Sequence, residues 1–94
     1  MKRKKSKYKA CVLEKKKYYF YEIIWIDIVG DSGHATFDEF SKMECATMVT
    51  NAFLFKKDKK FIWTFGSYDI DMASFSDRNK IPLACVVKMT KVLL

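Results

Sequence analysis

The segment Tyr18 to Val29, YYFYEIIWIDIV, constrains this chain more than any other. Twelve residues run without Gly or Pro and are dense in aromatic and β-branched side chains. That composition suits a pleated, half-buried strand and opposes a helix. At about 3.3 Å per residue the strand is unusually long for a small domain. Its side chains alternate, so Trp25 and Asp27 share one face and Ile24, Ile26 and Ile28 the other. An isoleucine face of this kind is expected to be a core face.

The rest of the chain is built around this strand with short connections. Residues 8–13 alternate weakly and read as a first strand or an ordered arm. Gly30-Asp31-Ser32-Gly33 ends the long strand, as a Gly, Asp and Ser cluster does. Thr36 and Glu39 have capping-box spacing, and Asp38 and Glu39 lie where the helix dipole favours negative charge. A short helix is therefore predicted over 37–43, with Phe37 and Phe40 facing inward. Residues 46–55 and 61–65 read as a hairpin closed by the polar turn Lys56 to Lys60. Residues 68–80 read as an acidic irregular loop, Ile81-Pro82 as a tight connection, and residues 84–93 as a last strand. The fold class is mainly β: a small antiparallel curled sheet, or an SH3-like barrel, of four to five strands with one short helix. An open α+β sheet packed on the helix is the alternative.

Charge divides the 94 residues unevenly. Residues 1–17 carry nine basic side chains and one acidic, a net +8, while residues 18–94 carry nine basic and ten acidic, a net −1. The organisation read from this is a basic N-terminal arm, 1–17, and one domain, 18–94. A basic arm suits an anionic partner: DNA, RNA, a nucleotide or an acidic protein face. The phosphate-binding candidates are Lys2, Arg3, Lys4, Lys5, Lys7, Lys9, Lys15, Lys16 and Lys17. Arg3 is the arm's only arginine, and lysine acts as a point charge rather than a fork, so backbone contact of weak specificity is expected. Tyr18, Tyr19 and Tyr21 follow directly and are the candidates for stacking on bases. In aromatic-rich strands such rings more often pack in a core, which is the competing reading.

Several chemistries are disfavoured. Gly30-Asp31-Ser32-Gly33 is similar to the nucleophile turn of trypsin-like serine proteases. A serine nucleophile, however, needs a base, an orienting carboxylate and an oxyanion hole. His34 is the only histidine and stands too near Ser32 in sequence to be aimed at its hydroxyl across a substrate. Catalytic residues are not expected, and the protein is read as non-enzymatic. Cys11, Cys45 and Cys85 lack the close pairs of a structural zinc site and fit buried thiols in a reducing compartment. Asp69, Asp71 and Asp77 lack the order of a calcium loop. No cofactor or metal is expected. The apolar runs are too short for a signal peptide's core or a membrane span, so a soluble, cytoplasmic protein is expected.

The pattern resembles a family of short, uncharacterised bacteriophage proteins. Trp25-Ile26-Asp27 matches its W-x-D strand. Gly33 with Thr36 to Glu39 matches its loop and short acidic helix, and residues 46–65 its hairpin. Ile81-Pro82 with Val86 to Val92 matches its close. The likeness spans residues 21–93 and leaves out the arm. His34 stands in place of the family's Trp, Asn51 in place of a hairpin Gly, and Leu83 in place of the Lys after Ile-Pro. The resemblance implies a phage-type SH3-like small barrel at work in the infected host cell's cytoplasm, and it implies no reaction. Two functions follow as expectations. One is binding of nucleic acid or a nucleotide second messenger in host takeover or counter-defence. The other is inhibition of a host enzyme or defence factor, with Lys56, Lys57, Lys59 and Lys60 or the 68–80 loop on the protein partner. A homo-oligomer is compatible with both, and a virion accessory ranks third.

Overall fold

A computed structural model describes residues 7–94. The elements run β1 (Ala10–Leu13), β2 (Lys16–Asp27), α1 (Phe37–Ser41), β3 (Ala46–Lys57), β4 (Phe61–Phe65), β5 (Ser67–Asp69), β6 (Ser74–Ser76), β7 (Asn79–Pro82), a 3-10 turn (Leu83–Cys85) and β8 (Val86–Lys91). The main sheet is antiparallel in the order β1-β2-β3-β4-β7, and β8 joins it on β2. β5 and β6 form a separate two-stranded ribbon. The fold is thus the mainly β, curled antiparallel sheet with one short helix. The sheet does not close into a barrel, because β7 at one edge and β1 and β8 at the other do not pair.

β2 organises the sheet. One edge pairs with β3 from Phe20 to Asp27. Along the other edge, Lys16 to Tyr19 pair with β1, and Tyr21 to Trp25 pair with β8. Phe20 lies at the handover. Its N–H donates to the Lys9 carbonyl at 2.9 Å, and its own carbonyl accepts from the Val92 N–H at 3.0 Å. Lys9 N–H donates in turn to Val92 O at 2.8 Å, and Tyr8 bridges Leu93. The β1–β2 turn is only Glu14 and Lys15, both at positive φ (50° and 65°). A two-residue hairpin of the type that matches strand twist requires this pair of φ values, although neither residue is Gly. The sheet therefore begins at Ala10, inside the basic segment that charge alone marks off as an arm.

Both faces of the sheet are used. On one, Ile23 and Ile62 are fully buried and meet Ile81, with Tyr21, Trp25, Leu54, Leu83, Cys85, Val86 and Met89 packed around them. Trp25 Nε1 donates to Thr50 Oγ1 across the β2–β3 pair at 2.9 Å. On the other face a lattice of rings joins Tyr18, Phe20, Phe53, Phe55, Phe65, Tyr68 and Phe75, with Phe65 at its buried centre. The β5–β6 ribbon supplies Tyr68 and Phe75 and so caps this face. Edge-on and offset rings of this kind add to the stabilisation from buried area.

Four expectations are corrected. Ile28 is 85% exposed, and Ile24 and Ile26 are only half-buried. The isoleucine that nucleates a core is Ile23, on the face the sequence assigned to Trp25, because the 3-10 turn and β8 close over that face. α1 has its capping box, with Glu39 N–H donating to Thr36 Oγ1 at 3.1 Å, but it ends at Ser41. Phe37 and Phe40 are exposed because the loop that carries α1 leaves the end of the β2–β3 ribbon with no layer above it. The acidic 68–80 segment is not irregular; it holds β5, β6 and the start of β7. Cys11 is buried, but Cys85 is half-buried and Cys45 exposed.

Two measurements check this account. Ile23→Ala is expected to cost about 3 kcal/mol in chemical denaturation, as for a buried aliphatic truncation, and Ile28→Ala close to nothing. In the β3–β4 turn, Asp58 Oδ1 accepts from the N–H groups of Lys60 and Phe61, both at 2.8 Å. These bonds, the Lys60 one first, hold the carboxyl below its ordinary 3.8. The turn is then fully ordered above that pH and loosens as pH falls through the lower folded value. Amide signals of Lys60 and Phe61 should move only in that acid range, and Asp58→Asn should abolish the titration.

Candidate phosphate-binding cleft

β2 and β3 pair up to Phe20 and Phe53 and then part. The cause lies in β3. Leu54 faces Thr64 on β4, but the next paired residue is Lys56, facing Trp63, so Phe55 is an extra residue. Such a bulge bends its strand and increases local twist. Here it turns β3 away from β2 and lets it follow β4 instead. The separation opens a cleft of about 350 Å³, lined by Lys16, Lys17, Tyr18, Tyr19, Tyr21, Leu54, Phe55, Lys56 and Lys57. Four lysines and three tyrosines line it, and no carboxylate does.

The cleft unites residues that sequence reasoning placed in different sites. Lys16 and Lys17 come from the basic segment, Lys56 and Lys57 from the hairpin end assigned to a protein partner. The others of those sets lie outside it. Lys15 is in the β1–β2 turn, and Lys59 and Lys60 in the β3–β4 turn. Lys7 Nζ is 5.8 Å from the Tyr8 ring, and Lys9 Nζ is 4.1 Å from that of Phe20. Lys2, Arg3, Lys4 and Lys5 lie outside the described residues.

The three tyrosines have different surroundings. Tyr18 stacks on Phe55 at 5.8 Å and meets Phe65 and Phe75 edge-on, so its ring belongs to the aromatic lattice. Tyr21 packs against the Ile23 cluster. Tyr19 projects to the same face as Tyr21 but beyond that cluster. Lys91 Nζ is 4.2 Å and Lys17 Nζ 5.5 Å from its ring, and Tyr8 meets it edge-on at 6.5 Å. Of the three, Tyr19 has the basic surroundings that suit a base or nucleotide ring.

A second lysine–aromatic group adjoins the cleft through residues common to both. Lys56 Nζ is 4.6 Å from the Trp63 ring. Lys80 Nζ is 4.9 Å from it on the neighbouring strand and 4.3 Å from that of Phe61. Trp63 and Lys80 line an open groove of about 610 Å³ together with Phe55, Phe75, Arg78 and the acidic Asp77. Arg78, Lys80 and Lys91 were missed in the sequence. Lys91 reaches Tyr19 only because β8 pairs with β2, with Lys91 opposite Tyr21, and Lys80 flanks Trp63 only because β7 pairs with β4. No local spacing signals either pairing.

The other chemistries have little geometry behind them. In the Gly30 to Gly33 loop the Asp31 carboxylate accepts from the Gly33 N–H at 2.7 Å, an ordinary turn contact, and the loop is exposed. Burial raises the Cys11 thiol above its ordinary value, partly offset by a hydrogen bond with Tyr68, so it is a poor nucleophile. Among the described residues no three His, Cys, Asp or Glu side chains gather as metal ligands, and no helix is long and apolar enough to cross a membrane. No family model, curated protein or solved structure matches this chain.

The different surroundings of Tyr18 and Tyr19 separate stability from binding. Tyr18→Ala should lower stability by about 3 kcal/mol, as loss of a packed aromatic does. Tyr19→Ala should leave the denaturation midpoint nearly unchanged and weaken polyanion binding by about 1–3 kcal/mol, the range of one base–aromatic stack. Paired denaturation and binding titrations of both variants check this.

Proposed function

We propose that this is a non-enzymatic small β protein of phage type that binds a phosphate-rich ligand in the cleft between β2 and β3. The observation that carries the reading is the carboxylate-free lining of Lys16, Lys17, Lys56 and Lys57 around Tyr18, Tyr19 and Tyr21. Lysines attract phosphates over a distance and bind them without strong geometric demands. Tyr19 offers a ring to a base. A nucleic acid strand suits the arrangement better than a single nucleotide, because lysine and aromatic side chains continue past Lys56 to Trp63, Lys80 and Arg78, with Asp77 the one carboxylate in that groove. Recognition of this sort is tolerant of sequence. Action in the host cytoplasm, in takeover or counter-defence, rests on the resemblance to phage proteins.

The test is a titration of the full chain with short single-stranded DNA, short RNA and a panel of cyclic nucleotides at 50 and 200 mM salt. If about six phosphates are neutralised, strand affinity falls roughly a thousandfold between these conditions. Each of Lys16→Ala, Lys17→Ala, Lys56→Ala and Lys57→Ala should lower the salt slope by about one and weaken all sequences alike. Deletion is limited to residues 1–6, since Lys7 onward takes part in the sheet, and should reduce affinity without abolishing it. Tight, saturable binding of one cyclic nucleotide would make the cleft a nucleotide-sequestering site. No binding of any polyanion would overturn the reading and favour the second one, inhibition of a host enzyme or defence factor.

A further inference from the structure

Asp77 is the one carboxylate in the groove that Trp63, Arg78 and Lys80 line. In a groove that served phosphates alone it would be a liability, because it repels them. The fold nevertheless holds it there. Asp77 has a φ of 52°, a conformation that Asp tolerates better than most residues. A Cβ on Gly66 would meet Asp77 Cβ at 3.1 Å, so the glycine leaves the room that Asp77 takes. Ser67 Oγ donates to Asp77 Oδ2 at 2.9 Å. Among the described residues the carboxylate forms no ion pair with Arg78 or Lys80, and its Oδ1 accepts no hydrogen bond.

The rest of the groove offers a ring and donors. Lys80 on β7 lies opposite Trp63 on β4, and strand alternation puts Arg78 on the same side as Lys80. Among the described residues the Arg78 side chain makes no hydrogen bond or ion pair. The Lys56 and Lys80 ammonium groups lie 4.6 and 4.9 Å from the Trp63 ring. Exposed contacts of this kind are weak, so an incoming flat ring can take their place and leave the ammonium groups to its phosphates. The volume of about 610 Å³ lies in the range of small-ligand sites. Phe55 lines both this groove and the lysine cleft, so one strand can reach both.

We infer that this groove is a base subsite selective for guanine. Trp63 stacks on the base, Asp77 accepts from its N1–H and N2–H, and Arg78 donates to its O6. The choice of base follows from the carboxylate, which is an acceptor only. Guanine alone among the common bases presents two adjacent donors on its pairing edge. Adenine and cytosine set an acceptor nitrogen beside their amino group, and thymine and uracil set carbonyls on both sides of one N–H. A carboxylate is repelled by those acceptors. Arginine is the usual donor to guanine O6, and unpaired bases are read on such edges while stacked on aromatic rings. The inference rests on the cleft reading in one respect: the lysines of the cleft hold the strand that delivers the base. The cleft then tolerates sequence, and the groove reads one position.

Short thymidine tracts carrying one central guanine, adenine or cytosine, titrated with the full chain at low salt, test this. The guanine strand should bind about tenfold more tightly than the other two, toward the lower end of what a bidentate base contact discriminates. Asp77→Asn keeps an acceptor for Ser67 Oγ and a side chain that tolerates positive φ. It should fold like the wild type by circular dichroism, bind the thymidine tract no more weakly, and lose the preference for guanine. A second reading does not need the strand: 5′-GMP at millimolar concentration should shift the Trp63 indole N–H and the Asp77 and Arg78 amides, and 5′-AMP should not. Equal affinity for the three strands, or a preference that survives Asp77→Asn, would overturn the guanine subsite and leave the cleft reading standing. GMP shifts at these residues without binding of any strand would do the reverse. No strand binding together with no GMP shift would overturn both.

Discussion

The backbone of Phe20 joins the parts of this structure. Its N–H bonds the chain entering β1, its carbonyl bonds the chain leaving β8, and its Cα partner on β3 is Phe53. β2 can serve three strands because it is long and unbroken; one Gly or Pro in it would interrupt a ladder needed by all three. The chain's two ends are held together at the same place, through Lys9 with Val92 and Tyr8 with Leu93. Loss of β1 would thus remove a partner of β2 and expose Cys11 and Leu13, which are buried against the aromatic face. The basic charge at Lys16 and Lys17 is displayed by the sheet itself.

Phe20 and Phe53 also mark where the cleft begins. Below them β2 and β3 are ordinary neighbours; above them the Phe55 bulge takes β3 toward β4. A single extra residue therefore has two effects. It places Phe55 against Tyr18 in the aromatic lattice, and it separates the lysines at the start of β2 from those at the end of β3 so that a cleft of about 350 Å³ opens between them. Four ammonium groups at one opening repel each other, and the proposed polyanion would relieve that repulsion.

The sequence made some of this legible and concealed the rest for physical reasons. The long strand, the Thr36–Glu39 capping box and the β3–β4 hairpin were readable because each depends on neighbours in sequence. Which face of β2 is the core was not, since Tyr21-Ile23-Trp25 and Phe20-Ile24-Ile26 are both apolar and the choice falls to the distant segment Leu83–Met89. The tyrosines and lysines of the cleft were identified by type, but their distribution was not: Tyr18 packs in the lattice, Tyr19 faces Lys91, and Lys56 and Lys57 join Lys16 and Lys17 through a bulge with no sequence signature. The β5–β6 ribbon was hidden because Asp69, Asp71 and Asp77 make it look like a solvated loop. Asp69 is in fact a turn acceptor for Asp71 and Met72, and Asp77 sits at positive φ against Gly66.

The most direct measurement of the central claim is an amide chemical-shift map of the full chain titrated with a short single-stranded oligonucleotide at low salt. The account predicts the largest shifts along Lys16 to Tyr21 and Leu54 to Lys57, continuing to Trp63, Lys80 and Lys91, and little change in residues 28–43. Shifts confined to Lys7 to Lys9, or concentrated on the acidic loop, would contradict a binding site between β2 and β3.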